Sequence, residues 1–148
     1  MSDEAGRPWT VALVCGASAS GKSRVAVPLA ARHGVPLAEA DDILTALQAM
    51  TSPSQQPLLH LWVSNPEAAL SWSPEKLAEV HFAIAEVLRP AFLAVIRDHL
   101  DFLAPAVFEG DYLLPDLASD FGGEVRALFL SAPTEEGLAA NLQARCPC

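Results

Sequence analysis

The stretch VALVCGASASGKSRVAV, residues 11 to 27, constrains the fold more than any other part of the chain. It begins as an aliphatic run suited to a buried strand, breaks into small residues, and continues with helix-compatible ones. Gly16 to Ser23 match G-x-x-x-x-G-K-[ST] in full, in the strand-then-helix context that gives the spacing its meaning. Small residues at Gly16, Ala17, Ser18, Ala19, Ser20 and Gly21 let the backbone wrap an anion with its N–H groups turned inward. The helix that follows directs its positive end at the same point. Lys22 supplies a charge for β- and γ-phosphates, Ser23 a hydroxyl for Mg²⁺, and Arg24 a further cation next to them. The bland alternative, a glycine-rich turn beside an ordinary lysine, does not account for the flanking strand and helix.

The rest of the chain agrees with an α/β architecture. At 148 residues it suits one domain with a substantial core. Hydrophobic residues make up 51% and charged ones 18%, as expected where central strands are buried on both faces. The net charge of −9 argues against a general nucleic-acid binder, and no apolar run reads as a membrane span. The polar start MSDEAGRP lacks the form of a secretory signal, so a cytoplasmic protein is expected. Cys15 reads as a buried apolar residue. Cys146 and Cys148 form a terminal C-x-C with little power to hold a metal alone.

Residues 1 to 8 read as a tail and 9 to 148 as one nucleotide-binding domain. The predicted order is a strand over 9 to 15, a helix over 21 to 32, a short strand over 35 to 40, and a helix over 41 to 50. Pro28 should kink the first helix or shift its register. Residues 51 to 73 show no sustained period and read as an irregular insertion, either a lid or a surface connection whose tryptophans pack on the body. A long helix begins at Ser73 as N-cap with Pro74 and Glu75 in its first turn, and Pro90 should kink it. Strands over 105 to 110 and within 124 to 132 follow, then a helix over 134 to 145 capped by Thr134. This alternation predicts a parallel sheet with helices on both faces.

Ligands of such sheets lie at the carboxyl ends of the strands. The second predicted strand ends in EADD and the third in FEGDY, which places Asp41, Asp42, Glu109 and Asp111 around the crevice of Lys22. Carboxylates there can hold Mg²⁺ or accept a proton from an attacking hydroxyl. Of Asp41 and Asp42, one is expected to cap the helix and one to face the cleft, with Asp41 favoured for the cleft. Among the histidines, His33, His81 and His99 read as structural, while His60 is open to a substrate contact. Trp62 and Trp72 suit either core packing or stacking on a planar acceptor.

The phosphate loop, the ADD after the second strand and VFEGDYLLP after the third resemble the small-molecule kinases of the P-loop NTPase superfamily, such as nucleoside, gluconate and shikimate-type kinases. The EGDYLLP stretch is similar in particular to the EG…P segment of 2-phosphoglycerate-kinase-like proteins and of bacterial P-loop proteins described only as ATPases. The resemblance implies a three-layer α/β/α fold around about four parallel strands. It implies ATP and Mg²⁺ as cofactors, a small hydroxyl-bearing acceptor, and a base at Asp41 or Asp42. It implies Mg²⁺ handling by Ser23, Glu109 and Asp111, and an arginine such as Arg145 reaching the phosphates from beyond the fourth strand. Such relatives commonly continue into a fifth strand, absent from this sequence, so a nucleotide-binding module without turnover or a simple ATPase is the alternative. An N/T-K-x-D base-reading motif is lacking, which sets GTPases aside.

Overall fold

The structure is a computed structural model that describes residues 6–132, 134, 136 and 137. Four strands form one sheet, β1 (Val11–Gly16), β2 (Leu37–Glu39), β3 (Ala106–Gly110) and β4 (Val125–Leu130), in the order β2-β3-β1-β4. Every pairing is parallel, with Val11 opposite both Ala106 and Val125, and Glu39 opposite Glu109. The aliphatic run of β1 is buried throughout, since it sits between β3 and β4 with both faces covered.

Helix α1 (Lys22–His33) covers one face, where Ala26 and Ala30 pack with Ala12, Val14 and Val107. The other face carries α2 (Ala40–Met50) and the long α5 (Pro74–Asp101), whose Val80, Ile84, Leu88, Phe92 and Ile96 meet Val11, Leu13 and Phe108. The 3₁₀ helix Pro115–Asp120 adds Leu117 to that core. Its ends are tied to α5 by Arg89, which donates to Asp116 at 2.8 Å and to Asp120 at 2.9 Å. Ser73 caps α5, its hydroxyl accepting from the Lys76 amide at 3.2 Å.

Pro28 and Pro90 lie inside helices that run on as single elements. Each removes one amide donor, and the buried apolar stripe on either side holds the helix together. Residues 51 to 73 are not wholly irregular, for they hold two single-turn helices, α3 (Leu61–Ser64) and α4 (Ala68–Ser71). Four-residue helices are too short to show a period. The segment is fastened to the body. Gln48 donates to the Leu59 carbonyl at 2.6 Å, His60 Nε2 lies 3.1 Å from the Thr51 hydroxyl, and Trp62 and Trp72 pack against the core. At the other end of the chain, the Gly137 amide donates to Thr134 Oγ1 at 3.0 Å, the contact expected of a cap. Most of the helix expected over 134 to 145, with Arg145, Cys146 and Cys148, falls outside the described residues.

Candidate phosphate-binding site

Three strands deliver the site because they are parallel and in register, so their carboxyl ends open on one side. After β1 the backbone turns sharply. Gly16 has φ 144°, and a Cβ there would collide with the Leu130 carbonyl oxygen of β4. Gly21 has φ 96°, and Ala19, unusually for an alanine, has φ 64°. The Ser20 amide bonds back to the Ala17 carbonyl at 3.1 Å, closing the loop. Gly21 is the N-cap of α1 and offers no side-chain cap, which leaves the Lys22 and Ser23 amides for an anion, while the Arg24 amide donates to the Gly21 carbonyl at 3.1 Å.

Lys22, the first residue of α1, folds back over the loop. It is 4% exposed, and its ammonium donates to the Ala17 carbonyl at 2.7 Å and to Asp111 Oδ1 at 2.6 Å. Beside it, Ser23 Oγ donates to Glu109 Oε1 at 3.0 Å, joining α1 to the end of β3. The second oxygen of Glu109 is buried without a hydrogen-bonding partner. A hydroxyl and an orphaned carboxylate oxygen form a hard donor pair, of the kind that fits Mg²⁺ sharing its sphere with phosphates and water. Among the described residues no cluster of three or more His, Cys, Asp or Glu forms a self-sufficient metal site. Asp111, also expected to serve the metal, accepts from Lys22 through Oδ1.

Ser18, Lys22, Ser23, Glu39, Asp41, Glu109, Gly110 and Asp111 line one open cleft of about 250 Å³. Its walls are almost wholly polar in character. Asp41 is on this wall and Asp42 is not. Neither caps α2. The N-cap is Glu39, without a side-chain hydrogen bond, and both aspartates sit in the first turn, where the positive helix end favours them. The Asp41 carboxyl is raised above its ordinary 3.8, first by desolvation at the cleft wall and then by the charges of Asp111 and Glu39. Arg24 stands exposed on α1, outside this lining. Cys15, behind the loop, is fully buried, and its thiol is pushed up to about 12 by that burial.

Sequence reasoning missed Glu39 at the site and read His81 as structural without seeing what it supports. Glu39 is the last residue of β2 and shares the wall with Asp41. His81, on α5, places Nε2 2.7 Å from the Asp111 carbonyl oxygen, so that nitrogen carries the proton and donates. The His81 ring stacks on Tyr112 at 4.6 Å, and Trp62 donates its indole N–H to the Tyr112 hydroxyl at 3.0 Å. A local signal for Glu39 existed in its position at a strand end, whereas that for His81 did not, because its partners lie thirty positions away. On the other side of the loop an apolar pocket of about 190 Å³ opens between Ala17, Ser20, Phe129 and Leu130.

No family model matches the chain, and no curated protein matches it. Solved structures do. A protein of Thermus thermophilus superposes with a TM-score of 0.50 at 22% identity, over 96% of this chain and 75% of its own. A gluconokinase from Sinorhizobium meliloti gives 0.47 at 20% identity, over 95% of this chain and 67% of that enzyme. A sugar kinase from Janibacter gives 0.46 at 20% identity, over 95% and 70%. At these identities the likeness concerns the fold. The chain has a three-layer α/β/α fold around a parallel sheet, with its phosphate-loop sequence between the central strand and the first helix.

Proposed function

We propose that this protein binds ATP at the Gly16–Ser23 loop and transfers its γ-phosphate to a hydroxyl of a small metabolite. One observation carries the reading: Lys22 and Ser23 share a single cleft with carboxylates from two neighbouring strand ends and the start of α2. A site for phosphate alone has no use for Glu39, Asp41 and Glu109 at that range, since they repel it. Carboxylates earn their place where a cation is held or a proton removed.

The backbone of the 16 to 21 loop wraps the phosphate chain and Lys22 neutralises its outer end. Ser23 and Glu109 are the residues that would hold Mg²⁺, which supplies charge to the phosphate oxygens. Asp41 accepts the proton of the acceptor hydroxyl as the new oxygen–phosphorus bond forms, while the bond to the β-phosphate oxygen breaks and ADP leaves. Its raised proton affinity suits a group that must take up a proton. The polar cleft walls favour a hydroxylated acceptor, and the apolar pocket beside the loop offers room for a base. Arg145 is proposed to contact the phosphates. The narrower likeness to 2-phosphoglycerate-kinase-like proteins rests on EGDYLLP, residues 109 to 115. We propose a cytoplasmic location, where ATP and Mg²⁺ are supplied.

A coupled assay for ADP release over polyols, sugar acids and nucleosides tests the reading. Release with one acceptor class, abolished in Lys22→Ala, is expected. Bound ATP with no release above the Lys22→Ala background for any acceptor would leave a binding module and overturn the transferase.

A further inference from the structure

The contact that the proposed chemistry leaves unexplained is the one between Lys22 and Asp111. A phosphate-loop lysine is of use through its free ammonium, yet here that group is nearly buried and already engaged twice. The two partners are not equally free to move. Asp111 is anchored through its own backbone, by the His81 contact at 2.7 Å, and its neighbour Tyr112 is fixed by stacking on His81 and by the Trp62 hydrogen bond. Lys22 reaches across on a flexible four-carbon stem. When a phosphate arrives, the lysine is therefore the group that swings.

We propose that Asp111 is a placeholder for the outer phosphates: it holds Lys22 in the free protein, gives it up to a ligand with several phosphates, and so sets which phosphate ligands the loop accepts. The inference rests on the nucleotide-binding reading above and adds a specificity residue to it. A carboxylate 2.6 Å from a nearly buried ammonium is a strong competitor. A polyphosphate chain that also engages the loop amides and Ser23 outbids one carboxylate. A monophosphate that ends short of the ammonium gains nothing from the exchange, so discrimination comes from a contact that must first be broken. The same step frees the Asp111 carboxylate on the wall shared with Asp41.

Calorimetric titration of the full chain with MgATP and with AMP tests this, in the wild type, Asp111→Asn and Lys22→Ala. Asp111→Asn is expected to bind MgATP about ten-fold tighter, as a competing charge pair is removed, with AMP affinity unchanged. Lys22→Ala is expected to lose most MgATP affinity. If Lys22→Ala behaves so but Asp111→Asn binds MgATP no tighter, or tightens AMP equally, the placeholder is refuted and the phosphate site stands. If Lys22→Ala keeps full affinity, the site itself is refuted. Should Asp111→Asn fail to fold, a crystal structure of the wild type with a non-hydrolysable ATP analogue decides. Lys22 Nζ on a phosphate oxygen and away from Asp111 supports the exchange, and an intact ion pair with the analogue bound overturns it.

Discussion

Gly110 shows how finely single residues set the site. A Cβ at that position would lie 2.5 Å from the Cβ of Ala40, so β3 and the start of α2 approach as closely as they do only because Gly110 has no side chain. Gly110→Ala should cost about 1–3 kcal/mol in chemical denaturation, the usual cost of forcing an extra carbon into a packed contact. It should also push Asp41 away from Glu109. Asp41 carries a pH signature of its own. Its folded proton affinity is raised, so ionising it works against the native state, and the cost appears as pH rises from the ordinary carboxylate value upward. Asp41→Asn should therefore stabilise the protein at pH 7 and not at pH 3, as read from urea midpoints. Equal shifts at both pH values would contradict the assignment. The residues contiguous in sequence, Gly16 to Ser23, were legible because their chemistry depends on local spacing. Glu39 and His81 were not, since their roles arise from strand register and a helix packed from far along the chain.

At the scale of elements, α5 was the most readable. Its Ser73 cap, proline start and apolar recurrence all have local causes, and the helix begins at Pro74 as those signals require. Ser73→Ala should cost about 1 kcal/mol, measurable as a lower melting temperature, because the Lys76 amide loses its acceptor. The one-turn helices α3 and α4 escaped the sequence for lack of length. Docking of their segment on the body was one of two readings, but its anchors, the distant Tyr112 hydroxyl and the Gln48 side chain of α2, left no local signal. The prolines inside α1 and α5 show propensity giving way to burial, as Ala26 and Ala30, or Leu88 and Phe92, flank each of them in the core.

Over the whole molecule, the alternation of strands and helices foretold a parallel sheet, but not the order β2-β3-β1-β4. Order follows from pairing between strands more than a hundred residues apart, such as Val11 with Val125, which leaves no local trace. It matters because it puts β1 and its loop in the middle, between the acidic end of β3 and the apolar end of β4. The cleft is thereby charged on one side of Lys22 and apolar on the other, a polarity that suits a nucleotide lying across the sheet end. The most direct test is calorimetric titration of the wild type and Lys22→Ala with ATP in the presence of Mg²⁺. The expected result is saturable binding by the wild type, weakened roughly 100-fold by the substitution, as loss of a buried charged contact implies. Equal affinity in the two proteins would contradict the account at its centre.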